Sequence, residues 1–136
     1  MTYRVLIADD ASNHRRSLSI SLRMEGFEVL EAADGQRALD VITHGAVDVV
    51  VCDLMMPRID GLELARRLQL HYPTTGVILT SAYHLTRLQL ERAEVADIHF
   101  LPKPYPFAEL MRLLGECVPA MALAHTTPSQ PLAVSL

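Results

Sequence analysis

The stretch VDVVVCD at residues 47–53 decides the fold of this chain. Its four valines favour strand geometry, and a nearly continuous apolar run of this length is typical of a strand buried on both faces of a parallel sheet. The run ends in an acidic residue, Asp53, and the loop of residues 54–61 follows it. We therefore predict a buried strand over Val47–Cys52 that carries an aspartate at its carboxyl end.

Similar short apolar runs lie on both sides of this central strand. Toward the amino terminus they are Phe27–Ala32 and Val5–Ala8, and toward the carboxyl terminus they are Val77–Thr80 and Ile98–Leu101. Each run has the length of a strand and is too short for a helix that packs on a core. The sequence therefore predicts five strands.

Amphipathic segments separate the predicted strands. In chain order, the five predicted helices run from Ala11 or Ser12 to Gly26, from Asp34-Gly35 to His44-Gly45, from Leu62 to Tyr72, around Leu85, Leu88 and Ala93, and over Phe107–Cys117. Apolar residues recur in them at helical spacing. Alternating strands and helices force parallel pairing through right-handed crossovers. The fold class is therefore α/β, a doubly wound five-stranded parallel sheet with five helices on its two faces.

The length and composition of the chain fit one folded domain. At 136 residues the chain is long enough to bury a single core. Prolines and threonines recur over residues 119–136, and Asp, Glu, Lys and Arg are absent there. Such a composition favours a flexible segment over a packed one. We therefore predict a domain over residues 1–118 and a C-terminal tail or linker over residues 119–136.

Charge and hydropathy exclude several classes of function. A net charge of −4 argues against direct nucleic acid binding, which needs a basic face. The apolar runs are too short for membrane insertion, and the first one is charged too soon for a signal peptide. We therefore expect a cytoplasmic protein. Cys52 and Cys117 form no metal-ligand pair, and we expect two free thiols.

Reactive side chains follow four of the predicted strands. Asp9 and Asp10 follow the first strand, Asp53 the third, Ser81 the fourth and Lys103 the fifth. Because the carboxyl ends of parallel strands meet at one edge of the sheet, these five side chains are expected to lie together. Crowded carboxylates repel one another unless a cation lies among them, and oxygen ligands favour Mg²⁺. A lysine and a hydroxyl opposite the metal suit a phosphoryl group.

These residues belong to four motifs that resemble one protein family. The motifs are Asp9-Asp10, then Asp53-Leu54-Met55-Met56-Pro57 with Asp60-Gly61, then Ser81-Ala82, then Lys103-Pro104. Each motif alone is weak, and the ordered set carries the specificity. The chain from about Tyr3 to Val118 resembles the receiver domains of bacterial two-component response regulators, the family of the chemotaxis regulators. This resemblance implies a flavodoxin-like fold of five βα units with the strand order 2-1-3-4-5.

The resemblance implies a role for each residue at the strand ends. Asp53 is the phosphoacceptor, which takes a phosphoryl group from a sensor histidine kinase or a phosphotransfer protein. Asp10, Asp53 and the backbone carbonyl of Met55 are direct ligands of Mg²⁺, or of Mn²⁺, and Asp9 holds a metal-bound water. Lys103 pairs with the phosphoryl group and Ser81 donates a hydrogen bond to it.

The resemblance also implies a switch and two recognition surfaces. Ser81 moves toward the phosphoryl group and Phe100, the switch aromatic, turns inward. Signalling then proceeds from the surface of helix 4, strand 5 and helix 5, either to an unknown output partner or through a homodimer. Kinase specificity is expected on helix 1, near His14, Arg15, Leu18 and Leu22. The peptide bond between Lys103 and Pro104 is expected to be cis.

Two further positions are thought to control attack by water on the phosphorylated state. They are the second residue after Asp53, which is Met55, and the second after Ser81, which is Tyr83. Neither is an acid or an amide, so neither orients a water molecule well. The hypothesis is that the phosphoryl group on this protein persists longer than in receivers with polar residues at these positions.

Three alternatives to a free-standing, phosphorylated receiver stay open. A phosphatase of the haloacid dehalogenase type also uses a strand-end aspartate and Mg²⁺, but its Asp-x-Asp pattern is not found after the first strand. A receiver-like interaction module would signal without phosphorylation. A receiver cut from a larger regulator or hybrid kinase would carry the tail as a linker. The favoured interpretation is a switch that is modified once, rather than an enzyme that turns over.

Overall fold

The computed structural model describes residues 2–82 and 98–118, in which strands and helices alternate along the chain. The elements are β1 (Arg4–Ala8), α1 (Ser12–Met24), β2 (Glu28–Ala32), α2 (Gly35–Thr43), β3 (Val49–Asp53), α3 (Gly61–His71), β4 (Gly76–Ser81), β5 (His99–Pro102) and α4 (Phe107–Cys117). α4 is the fifth predicted helix. The fourth predicted helix, around Leu85, Leu88 and Ala93, lies outside the described residues.

The five strands form one parallel sheet in the order β2-β1-β3-β4-β5. This order confirms the prediction of a doubly wound α/β fold. The central strand β3 pairs with β1 through Val49 and Val5 and with β4 through Val49 and Gly76. At the other end of the same pairings, Asp53 lies opposite Thr80. All strands therefore end at the same edge of the sheet.

The alternation of side chains along each strand divides the core into two layers. Val49 and Val51 face α1 and α4, whereas Val50 and Cys52 face α2 and α3. Successive side chains of a strand point to opposite faces, so a strand covered on both faces is apolar at every position. The continuous apolar run of residues 49–52 therefore follows from helices on both sides of the sheet.

Local sequence signals explain where the helices begin and end. Asp34 and Asp60 cap α2 and α3, because their carboxylates accept the backbone N–H groups of Arg37 and Glu63 at 2.8 Å. The last residue of α3 is followed by Tyr72, which precedes Pro73 and cannot keep helical geometry easily. After α1 the chain turns at Gly26, whose φ of +97° favours glycine.

The predicted boundaries differ from the observed ones by a residue or two. β2 begins at Glu28 rather than Phe27, and β3 begins at Val49 rather than Val47. Before β3, the backbone N–H of Asp48 donates to the Arg4 carbonyl, whereas the Arg4 N–H donates to the Asp48 carboxylate rather than to a backbone carbonyl. Such shifts are ordinary at element ends, where hydrogen bonding of one or two residues decides the assignment.

A further prediction concerns the two cysteines. Cys52 and Cys117 are both free, as predicted. Burial raises the pKa of the Cys52 thiol to about 12, with smaller contributions from Asp53 and Asp60, so this thiol is unreactive at neutral pH. No described helix combines the length and the hydropathy that crossing a bilayer requires.

Candidate phosphoryl-acceptor site

The ends of β1 and β3 bring three carboxylates together. Asp9 and Asp10 follow β1, and Asp53 is the last residue of β3. One carboxylate oxygen from each lies within 4.8 Å of the other two, which confirms that the sheet brings the three predicted acids together. Asp9 is buried, Asp53 is half-buried and Asp10 is exposed.

The three acids fit a hard divalent cation. They supply only oxygen atoms, and their separations allow one ion to contact or to bridge them. Without a cation, negative groups at this distance repel one another, and the burial of Asp9 strengthens that repulsion. An exposed Asp10 leaves one side of the cluster open to solvent, as Mg²⁺ requires when it keeps some of its water ligands.

Lys103 contacts two of the three acids. Its Nζ atom lies 3.1 Å from Oδ2 of Asp53 and 3.4 Å from Oδ2 of Asp9. Its backbone N–H donates to the carbonyl of Ser81 at 2.8 Å, which joins the ends of β4 and β5. The peptide bond from Lys103 to Pro104 is cis, as predicted. The structure therefore brings the predicted lysine to the acids.

The loop after β3 is held close to the strand end. The Leu54 N–H donates to the Thr80 carbonyl at 2.7 Å, and the Gly61 N–H donates to the Leu54 carbonyl at 2.8 Å. A side chain at Gly61 would place its Cβ 2.8 Å from the Cα of Leu54 and would also meet the Asp53 carbonyl. Only glycine therefore lets α3 begin so close to Asp53.

The remaining predicted site residues lie in different surroundings. Met55 is 58% exposed beside Asp53, and its N–H donates to Oδ1 of that residue at 3.3 Å. Ser81 is buried at the end of β4. Phe100 lies in β5 opposite Leu79 and packs, partly buried, against the core layer of α2 and α3. Tyr83, the second predicted position for control of water attack, lies outside the described residues.

Three residues that the sequence analysis did not place in the site contact its acids or face them. Nδ1 of His14 lies 2.7 Å from Oδ2 of Asp9. Arg15 donates to the backbone carbonyl of Asp9 at 2.7 Å and to Glu31 at 3.1 Å. His14 and Arg15 lie in the first turn of α1, directly after the acid pair, and this position was the available signal.

The third residue is Tyr105, two positions after Lys103. Burial, followed by the charges of Asp9 and Asp53, raises the pKa of Tyr105 to about 12. Its hydroxyl is buried and has no hydrogen-bond partner among the described residues. The rings of Tyr105 and His14 meet edge to face with their centroids 6.4 Å apart. Tyr105 therefore forms an apolar wall beside the acids.

A groove runs from this wall along α1. It has a volume of about 410 Å³ and is lined by His14, Ser17, Leu18, Ser21, Lys103, Pro104, Tyr105 and Phe107. The predicted kinase-specificity residues only partly reach this surface. Leu22 is fully buried against the sheet, so its inclusion was wrong, because a contact with a partner needs an exposed side chain. Leu18 is also buried, although it lines the groove.

A doubly wound sheet with acids, a hydroxyl and a lysine at its carboxyl edge belongs to the class of open α/β proteins that bind their ligands at that edge. The chain belongs to the response regulator receiver domain family, whose sequence model matches residues 5–115. Its homologues are response regulators of two-component systems. It is 36% identical over 128 residues to the response regulator MprA of Mycolicibacterium vanbaalenii, an alignment that covers 94% of this chain and 53% of that protein. The chain spans about half the length of the curated relatives it matches.

Solved structures show the same fold. The chemotaxis protein CheY4 of Vibrio cholerae superimposes with a TM-score of 0.79 at 27% identity, covering 87% of this chain and all of that one (100%). The response regulator TrrA of Thermotoga maritima, in complex with Mg²⁺ and BeF, superimposes with a TM-score of 0.77 at 31% identity. The superposition covers 86% of this chain and 100% of the TrrA chain. The receiver family is therefore shown by sequence and by structure.

Proposed function

We propose that Asp53 is the phosphoacceptor of this receiver domain. The observation that carries the proposal is the contact of Lys103 Nζ with Asp53 Oδ2 at 3.1 Å, inside a cluster of three acids. An acceptor must present a carboxylate oxygen to phosphorus while its negative charge and that of the phosphoryl group are compensated. Asp53 is half-buried at the strand end, within reach of both the lysine and a cation site.

The proposed transfer needs little covalent chemistry from the protein. An oxygen of Asp53 attacks the phosphorus of a phosphohistidine, the N–P bond breaks, and its electron pair returns to the imidazole of the donor. The new P–O bond makes an acyl phosphate. Lys103 pairs with the transferred phosphoryl group, and the hydroxyl of Ser81 donates a hydrogen bond to it. The same groups would hold the phosphoryl group while water hydrolyses it.

Mg²⁺ is the proposed cofactor, with Mn²⁺ as the alternative. When bound, such an ion neutralises charge that builds up on the phosphoryl oxygens. Asp10 and Asp53 would hold the ion directly, with the backbone carbonyl of Met55, and Asp9 would hold one of its water ligands. The support for this assignment is the all-oxygen donor set and its spacing.

The proposed partner is a sensor histidine kinase or a phosphotransfer protein in the cytoplasm. Phosphorylation would draw Ser81 toward the site and Phe100 inward, and thereby change the surface of the fourth predicted helix, β5 and α4, which is the fifth predicted helix. An output partner or a homodimer would read this surface. We also propose that the receiver ends near residue 118, since α4 ends at Cys117.

Incubation with acetyl phosphate and Mg²⁺, followed by intact mass measurement, tests the acceptor. We expect one phosphate per wild-type molecule and none on Asp53→Ala. The matched control is Asp40→Ala, which removes an exposed acid of α2 away from the strand ends and should leave phosphorylation unchanged. A phosphate adduct that persists on Asp53→Ala would show that another residue is the acceptor. Repeated turnover of phosphate esters would favour the phosphatase alternative.

A further inference from the structure

Two donors at the start of α1 contact the buried carboxylate of Asp9. Asp9 is 3% exposed. Its Oδ1 atom accepts the N–H of Ala11 at 2.9 Å, and its Oδ2 atom lies 2.7 Å from Nδ1 of His14. Because an ionised carboxylate can only accept, the proton of this contact belongs to Nδ1 of His14. His14 is therefore a donor to Asp9.

The same oxygen of Asp9 is within reach of Lys103. The Nζ atom of Lys103 lies between two acids, 3.4 Å from Asp9 Oδ2 and 3.1 Å from Asp53 Oδ2. The shorter contact is with the proposed acceptor. Since His14 already supplies a close hydrogen bond to Asp9, the ammonium is not the main donor to that carboxylate.

Removal of the His14 donor would change this balance. A buried carboxylate that loses a hydrogen bond must find another donor or carry the cost of desolvation. Lys103 already contacts Oδ2 of Asp9, so its ammonium would move toward Asp9 and away from Asp53. The contact of His14 with the ring of Tyr105 holds the imidazole on the Asp9 side of the groove.

We propose that His14 is a positioning residue for phosphoryl acceptance. By donating to Asp9 it keeps Lys103 directed at Asp53, where the lysine meets the incoming phosphoryl group. This inference rests on the proposed role of Asp53. His14 acts through Asp9 and Lys103 and does not itself contact the phosphoryl group.

Three variants separate a donor role from a packing role. His14→Asn keeps a side-chain N–H close to the position of Nδ1, whereas His14→Leu keeps much of the volume and removes the donor. His71→Leu is the matched control, because His71 is exposed at the end of α3, at the edge of the sheet opposite the strand ends. Circular dichroism tests whether each variant folds, and His14→Ala replaces the leucine variant if that variant does not fold.

The first measurement is the rate constant for phosphorylation by acetyl phosphate at saturating Mg²⁺. We expect His14→Leu to be slower by about tenfold, which corresponds to about 1.4 kcal/mol of lost transition-state stabilisation. His14→Asn should recover most of the rate, and His71→Leu should match the wild type. The acetyl phosphate concentration at half-maximal rate, measured in parallel, separates weaker donor binding from a slower step.

The second measurement observes the lysine directly. Lys103 is the single lysine of the sequence, so lysine labelled with ¹³C at Cε gives one side-chain signal in the NMR spectrum. We expect this signal to shift in His14→Leu and to return toward its wild-type position in His14→Asn. In His71→Leu it should not move.

The outcomes distinguish this inference from the proposed function. If the wild type takes no phosphate, the assignment of Asp53 fails. If the wild type is phosphorylated on Asp53 and His14→Leu keeps both the rate and the lysine signal, the positioning role of His14 is overturned. A His14→Asn variant as slow as His14→Leu would also overturn it, because the donor would then be irrelevant. Loss of rate in the leucine variant with rescue by asparagine supports it.

Discussion

At the scale of single residues, one ammonium compensates acids from two different strands. Lys103 contacts Asp53 and Asp9, and Asp10 completes the cluster of acids. The three carboxylates therefore carry more negative charge than the ammonium of Lys103 offsets. The excess of negative charge is the physical reason for a cation at this edge, and it makes phosphorylation without one unfavourable.

The side chain beside Asp53, the proposed acceptor, leads to a prediction about the lifetime of the phosphorylated state. Met55 is exposed and has no group that can orient a water molecule for attack on phosphorus. We expect Met55→Asn to shorten the half-life of phosphorylated Asp53 by about tenfold, which is less than the roughly 10²–10⁴-fold that a positioned general acid–base group contributes. Decay of the adduct by intact mass measures it, and equal half-lives in the two proteins would contradict the hypothesis.

The phenol of Tyr105 predicts a loss of stability at high pH. Its pKa is raised to about 12 in the folded protein, above the ordinary value of 10. The stabilisation that goes with a raised pKa is complete below pH 10 and is lost as the pH rises toward 12, because only the unfolded chain ionises in that interval. We expect Tyr105→Phe to lose less stability than the wild type between pH 10 and 12.

Urea unfolding of the wild type and Tyr105→Phe at pH 7, 10 and 11.5 makes this comparison. Both proteins keep Cys52 and Cys117, so the titration of these thiols affects the two equally. At pH 7 the phenylalanine variant should be at least as stable as the wild type, because a buried hydroxyl without a partner costs about 1–3 kcal/mol. Parallel losses of stability in the two proteins at high pH would show that Tyr105 does not titrate differently on unfolding.

At the scale of elements, the site depends on how closely α3 follows β3. α3 begins at Gly61, whose backbone N–H donates to the carbonyl of Leu54. This hydrogen bond joins the two ends of the loop that follows Asp53. α1 similarly begins two residues after Asp10. Helices that begin at a strand end direct their free backbone N–H groups and the positive end of their dipole toward that edge. The edge that gathers the acids is therefore also suited to an anion.

The close approach of α3 gives a prediction for Gly61→Ala. The new Cβ would lie 2.7 Å from a methyl carbon of Leu79 and 2.8 Å from the Cα of Leu54. We expect overpacking to lower the free energy of unfolding by about 1–3 kcal/mol. The displaced backbone of Asp53 should also slow phosphorylation by acetyl phosphate.

Gly26→Ala is the matched control for this variant. Gly26 has a φ of +97° but no neighbour within 4 Å of an added Cβ. Alanine there should cost about 1 kcal/mol through backbone strain and leave the phosphorylation rate unchanged. If Gly61→Ala is destabilised and still phosphorylated at the wild-type rate, the position of α3 does not control the acceptor.

At the scale of the whole molecule, folding and cation binding are coupled. Asp53 is far in sequence from the Asp9-Asp10 pair and meets it only when β1 and β3 pair, so an unfolded chain has no such site. Any ligand that binds only the folded state stabilises it. We expect Mg²⁺ at about 100 times its dissociation constant to raise the free energy of unfolding by about 2.7 kcal/mol.

Asp10→Ala should change how the free energy of unfolding depends on Mg²⁺. Without Mg²⁺ the variant should be more stable than the wild type, because one of three mutually repelling carboxylates is removed. With Mg²⁺ it should gain little. Urea unfolding with Mg²⁺ or with EDTA measures both effects, and an equal gain from Mg²⁺ in the two proteins would exclude Asp10 as a ligand.

The elements and the strand-end residues were determined by the sequence itself. Continuous apolar runs such as residues 49–52 specify strands covered on both faces, and helical periodicity between them specifies the crossovers. The parallel arrangement then requires that Asp9, Asp10 and Asp53 share an edge. The cis bond before Pro104 came from the family resemblance rather than from the pattern.

Only the tertiary structure decided which neighbours complete the site. The hydrogen bond from His14 to Asp9 and the wall formed by Tyr105 depend on how α1 and the start of α4 pack across the end of the sheet. The same packing buries Leu22, which the sequence analysis had placed on a partner surface. Periodicity reports which side of a helix is apolar, because that depends on local spacing. The angle and depth at which that side meets the sheet depend on side chains distant in sequence.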